Sequence, residues 1–123
     1  MDPSAKPIAR QPGCEETIEQ AERLLSAAGL QVARTFDLRS IGADCPYHGG
    51  VPCECQLVMF LVYGEDAMPA TLIGYSCDGQ TVFSVVDAPY QPVDPQLEAA
   101  IAHTLAPDNF IRETERRLAA PEA

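Results

Sequence analysis

The sequence predicts an α+β domain, a two-layer sandwich in which a mainly antiparallel sheet of about four strands carries helices packed on one face. Three observations predict it. An amphipathic helical segment precedes a series of β-rich segments, an Asp-Gly pair joins two of those segments, and a cluster of prolines closes the sheet before a second helical face begins. With 123 residues and 46 % hydrophobic composition, the chain has the size and apolar content of one domain with one core.

Taken in order, residues 1–13 mix Pro3, Pro7, Pro12 and Gly13 with polar side chains and read as a mobile N-terminal arm, with room for a short edge strand at Pro7–Arg10. From Cys14 the pattern turns helical. Ile18, Ala21, Leu25 and Ala28 recur on one face, Glu15 and Glu16 suit the positive N-terminal end, and Gly29 suits the C-terminal cap. LQVARTFDL then reads as a strand with Val32, Arg34, Phe36 and Leu38 on one face, close to an edge of the sheet because of its arginine. CQLVMFLVY, from Cys55 to Tyr63, is apolar without alternation after Gln56, as expected of a strand covered on both faces. ATLIGYSC and QTVFSVVD flank Asp78-Gly79, the pair best suited to a two-residue hairpin turn. Pro89, Pro92 and Pro95 end the sheet. Asp94 and Pro95 suit the start of a helix whose buried face is Leu97, Ile101 and Leu105. Pro107 stops that helix, and residues 108–123 form a C-terminal helix and tail in which Glu113 and Arg117 are spaced for an i,i+4 pair. The single domain thus spans 14–107.

Between the first two of these strands lies DCPYHGGVPCEC, residues 44–55. It crowds three of five cysteines and one of two histidines into a single loop. Cys45 and His48 can converge from one tight turn around Pro46, Gly49 and Gly50 allow a reversal, and Cys53 and Cys55, two apart in extended backbone, point to the same side. Three thiolates and one imidazole form a closed tetrahedral zinc set, so Cys45, His48, Cys53 and Cys55 are the expected metal ligands. Some fifteen residues with no helical or strand pattern also call for an organising element, and structural zinc supplies on the order of 10 kcal/mol. Cu(I) suits the Cys-x-Cys pair less well than zinc suits the whole set, and an iron–sulfur cluster would ask for a fourth thiolate.

Other uses of the same thiols stay open. They can exchange metal or cycle between dithiol and disulfide, and Cys45 can bridge to Cys53 or Cys55. A Cys53–Cys55 bridge is disfavoured, because strand rise holds those Cα atoms about 6.5 to 7 Å apart. Cys77, at the end of an apolar strand, reads as a core thiol or a substitute ligand. Cys14 sits at a helix start and reads as a residue tolerated there.

Charge and motif exclude several classes. The net charge is −10, and no Lys or Arg occurs between Arg39 and Arg112. That central body has nothing with which to replace the counterions of a nucleic acid or an anionic lipid surface, so neither is an expected partner, and a protein partner of unidentified kind is. No apolar run approaches the roughly 18 to 20 residues of a membrane helix, and the start lacks an apolar signal region, which leaves a cytoplasmic protein as the expectation. Zinc deaminases need H-x-E and P-C-x-x-C, whereas this chain has His48-Gly49-Gly50 and Pro52-Cys53-Glu54-Cys55. HExxH, GxSxG and a phosphate-binding glycine loop are missing too, and His103 reads as a surface residue. No catalytic residue is assigned. The functional expectation is a small acidic zinc-binding domain that serves as a protein-interaction or accessory module. The alternative is a thiol-based metal-exchange or redox protein.

GLQVARTFDL after an amphipathic helix, the apolar central strand and SCDGQTVFSVVDAP together resemble the DUF302 family of small bacterial α/β domains over roughly residues 8–93. The resemblance implies a fold rather than an activity. Two departures accompany it: the Cys/His loop replaces the family's middle helices, and the leucine-rich segment leading to a Pro-Cys pair is missing. No functional residue is carried over.

Overall fold

Helix α1 spans Glu15–Ala27 in the computed structural model, which describes residues 5–42, 53–65, 68–77, 79–89 and 92–119, the side chains of 39–42, 53, 54, 117 and 119 excepted. Its apolar period buries Ile18, Ala21, Leu24 and Leu25, and its first turn carries Glu15 and Glu16 where the helix dipole favours them. The remaining elements are β1 (Ala5–Pro12), β2 (Gln31–Gly42), β3 (Cys53–Tyr63), β4 (Ala70–Cys77), β5 (Gln80–Val86), α2 (Pro95–Thr104) and α3 (Pro107–Ala119). The five strands form one antiparallel sheet in the order β1-β5-β4-β3-β2. The architecture is α+β, as expected, with one strand more than the sequence suggested.

The extra strand is β1. The sequence left room there only for a short edge strand at Pro7–Arg10 within an arm, whereas the strand runs along β5 from Ala5 to Pro12. The sheet tolerates its prolines because β1 is an edge and because the ladder slips between Pro7 and Ala9, where a missing N–H costs least. Lys6 ties this edge to α2, donating to Glu98 at 3.2 Å.

Two corrections concern the faces of the sheet. The expected grouping of Val32, Arg34, Phe36 and Leu38 is broken by a bulge at Thr35, where the β2–β3 register shifts between Arg34 and Phe36. A one-residue insertion reverses every later side chain. Val32 and Arg34 therefore share the face of their partners Val62 and Phe60, while Phe36 and Leu38 turn to the opposite face beside Met59 and Leu57. Arg34 lies 5.6 Å from the Phe60 ring centre, bonds Asp37 at 3.0 Å and reaches Glu22 of α1. Burial works against its charge, but the hydrogen bonds and fields of Glu22 and Asp37 outweigh that and hold its pKa above the ordinary value.

The second concerns β3, expected to be covered on both faces or nearly so: among the described residues, helices cover one face of it and the other is partly open. Val58, Phe60 and Val62 are fully buried, whereas Leu57, Met59 and Leu61 are only half-buried. The core lies on one side of the sheet. There Val58, Phe60, Val62, Leu72, Phe83 and Val85 meet α1 together with Leu97, Ile101, Leu105 and Phe110 of the C-terminal helical region.

Two glycines make close approaches possible. Gly74 leaves space on β4 for the Phe83 ring: a Cβ there would stand 3.3 Å from that ring and 3.8 Å from Ile18. Gly79 takes φ +76° in the β4–β5 turn, as the Asp-Gly pair implied, Asp78 itself lying outside the described residues. Phe83 also stacks on Phe110 with ring centres 6.1 Å apart. The clasp of α3 on α1 is finished by Glu113, which accepts from Gln20 at 2.9 Å and Arg23 at 2.7 Å. Its expected helical partner, Arg117, has a side chain outside those described.

Phe83 joins sheet, α1 and α3, so Phe83→Ala is expected to lower the unfolding free energy by about 3–5 kcal/mol in urea melts. Leu118→Ala, at an 82 % exposed position, is expected to stay within about 0.5 kcal/mol of the parent.

Candidate functional site

The loop expected to hold a metal does not stand as an independent element. The β2–β3 ladder runs on through Ser40–Cys55, Ile41–Glu54 and Gly42–Cys53, so 53–55 belong to a strand, and backbone pairing orders both ends of the connection. Cys45 and His48, two of the four expected ligands, lie outside the described residues. Cys53 opens β3, and Cys55 is two residues further along the same strand.

Cys55 is bonded to Cys77, which corrects the reading of Cys77 as a core thiol or a spare ligand. The two face each other directly, because the ladder that pairs Gln56 with Ser76 and Leu57 with Tyr75 next brings Cys55 against Cys77. Their Cα atoms are 4.5 Å apart, the spacing of a non-hydrogen-bonded antiparallel pair and within the range a disulfide spans. A signal for this pairing is present in the sequence: Cys55 stands as far before Tyr63 as Cys77 stands after Pro69, at the two ends of the β3–β4 connection. Using it requires knowing that β3 and β4 form a hairpin without a bulge.

Topology gathers further thiols at this end of the sheet. β1 ends at Pro12 opposite Gln80, and Gly13, with φ +97°, donates its N–H to the Gly79 carbonyl at 2.7 Å. That contact sets Cys14, a half-buried free thiol, at the start of α1. Cys14, Cys53, Cys55 and Cys77 thus belong to element ends at one margin of the sheet, and residues 43–52 depart from that same margin.

Beneath the margin, on the helix-covered face, the core ends in a buried polar row of Gln11, Thr81, Ser76 and Gln56. Thr81 donates its hydroxyl proton to the Gly13 carbonyl at 2.7 Å, so in the 2.7 Å contact between Ser76 and Thr81 the serine donates. Gln56 donates to Asp37 at 3.0 Å, and Thr17 to the Pro12 carbonyl at 2.8 Å. Among the described residues no buried side-chain polar atom lacks a partner. The row is a finished structural layer that fixes the strand ends carrying the cysteines.

Among the described residues no group of three or more His, Cys, Asp or Glu is placed to hold a metal ion. Cys55 cannot be a disulfide sulfur and a thiolate ligand at once, so the expected ligand set and the observed bond exclude each other in one molecule. His103 is exposed on α2, as expected. A groove of about 260 Å³ beside Leu30, Gly64, Glu65, Asp94 and Leu97 lies at the opposite end of β3, and its lining contains neither His nor Cys. No helix among the described residues is long and apolar enough to cross a membrane.

The chain matches no family model, no curated protein and no solved structure.

With the bond formed, three thiols are expected to react in denaturant without reductant, five cysteines less the two in the bond, and five after reduction. The bond closes a loop of 22 residues, so Cys77→Ser is expected to cost about 3 kcal/mol by restoring entropy to the unfolded chain.

Proposed function

We propose that this domain is a thiol-based redox and metal module in which Cys55 serves two mutually exclusive states. In the oxidised state Cys55 is bonded to Cys77. In the reduced state Cys55 joins Cys45, His48 and Cys53 as a zinc ligand, and Cys77 is released. The observation that carries this reading is the position of Cys55. It stands directly opposite one cysteine on β4 and two residues from another on β3, beside the departure point of the segment that holds Cys45 and His48.

The redox step is thiol–disulfide exchange with a dithiol donor. Cys77 is half-buried whereas Cys55 is 7 % exposed, so the incoming thiolate attacks Cys77 Sγ. A mixed disulfide forms and Cys55 leaves as a thiolate. The donor's second thiolate then attacks the donor sulfur of the mixed disulfide and releases Cys77 as a thiolate. The donor becomes a disulfide and is oxidised by two electrons; the protein gains them as two thiolates, which take up from water the two protons that the donor's thiols released to it. Zinc, when bound, contributes a closed tetrahedral cross-link to the Cys/His segment and needs its cysteines deprotonated. A partner carrying an exchangeable dithiol fits the chemistry, and the acidic composition makes a cationic or neutral partner surface the favourable one.

The deciding experiment measures zinc and free thiols in parallel while a mild thiol oxidant is added to the reduced, zinc-loaded protein. One zinc per chain is expected at the start, with release as the Cys55–Cys77 bond forms. Cys77→Ser is expected to keep its zinc under the same treatment. A reduced parent that binds no zinc would sink the metal half of the proposal. A parent that keeps its zinc after the bond has formed would show that the two states do not compete, and a purely structural zinc site would then take its place.

A further inference from the structure

The sheet has a second face, and no described element covers it. Because side chains alternate along each strand, the residues opposite the helices form cross-strand rows, one made of Tyr75, Leu57 and Leu38 and the next of Ile73, Met59 and Phe36. Phe36 and Leu38 are 47 % and 54 % exposed, and the other four are half-buried by their neighbours. This is why β3 reads as an unbroken apolar run: the composition belongs to a strand with both faces buried, while the described elements of one chain cover one. A face of this kind, continuous across several strands, marks an interaction surface.

We infer that the open face is the homodimer interface, covered by the same face of a second copy of this chain. Charge selects that occupant. The chain carries a net charge of −10, so two copies repel through most possible contacts. On the open face, the described strand side chains include no acidic residue, and one basic residue, Arg10 on the edge strand β1. Asp37 is turned to the helix side, where Arg34 and Gln56 hold it. A mainly apolar face whose described side chains include no acidic residue meets its own copy with little need for charge matching, as a two-fold interface requires. An anionic membrane is disfavoured by the same net charge.

Size agrees. Five strands at about 4.8 Å spacing and about four side-chain rows give a plan area of roughly 600 Å². The corrugated accessible surface exceeds its plan and approaches the ~800 Å² per partner of a stable complex. Two such sheets would pack about 10 Å apart, with the helices outermost on both sides. The Cys55–Cys77 pair lies in the row beyond Tyr75 and Leu57, at the rim of this face, so the dimer proposal stands whether or not that pair is redox-active.

Sedimentation of the full chain tests the inference. The parent is expected at twice the 13.3 kDa chain mass, and Leu38→Lys and Met59→Lys are each expected to weaken dimerisation at least about tenfold. Ile111→Lys, on the exposed side of α3, is expected to leave it unchanged. Circular dichroism confirms folding of each variant, and if Met59→Lys does not fold, Leu38→Lys decides alone from its exposed edge-strand position. A parent that remains monomeric to about 100 µM overturns the inference, because a micromolar dimer would be nearly complete there. A dimer that tolerates Leu38→Lys overturns it as well and assigns the contact to another surface.

Discussion

The Phe83 ring is the contact on which the two-layer arrangement depends. It projects from β5 over the vacant side of Gly74, which Ile18 of α1 also borders, and stacks on Phe110 of α3. One side chain therefore sets the height of the first helix above the sheet and fixes where the last helix comes to rest. Each side chain placed around it has consequences further out. Helix α1 held at that height brings Glu22 within reach of Arg34, and α3 held against it buries Glu113 between Gln20 and Arg23. The polar contacts follow from the apolar one, which is the usual order of magnitude: burial of a large ring outweighs exposed ion pairs several-fold.

Much of this was legible in the sequence where one local rule acts alone. The spacing of Ile18, Ala21 and Leu25, the Asp94-Pro95 helix start with Leu97, Ile101 and Leu105 behind it, and the Asp78-Gly79 turn each lead to the element found. The differences come from non-local choices. A bulge at Thr35 inverts the faces of β2, and nothing in TFDL announces it, because Phe36 and Leu38 are as suitable for a core as for an interface. The prolines of residues 5–12 argue against a strand in general but not against an edge strand with an irregular register. Of the site, the crowding of cysteines was visible and the partner of Cys55 was not, since Cys77 is distant along the chain and meets it only through a hairpin register.

The same registers explain why thiols accumulate at one margin. In an antiparallel sheet, alternate connections fall at opposite ends, so the end of β1, the end of β2, the start of β3, the end of β4 and the start of β5 share a margin. Four cysteines, at the start of α1 and on β3 and β4, are drawn together although the chain separates them widely. The buried row of Gln11, Thr81, Ser76 and Gln56 makes that margin rigid on the helix side.

The pairing of β1 with β5 has a consequence for how the chain is made. Three of the four strand junctions join neighbours in sequence, but Ala5 meets Val86, so the first strand of this sheet to be synthesised has no place in it until nearly all the others have been made. Until then the edge of β5 is complete in sequence and open in hydrogen bonding, a template for any extended segment that arrives first. The proline-marked irregularity in β1 makes that segment a poor match for anything but its own slot. It also keeps the waiting strand from pairing with a neighbouring nascent chain.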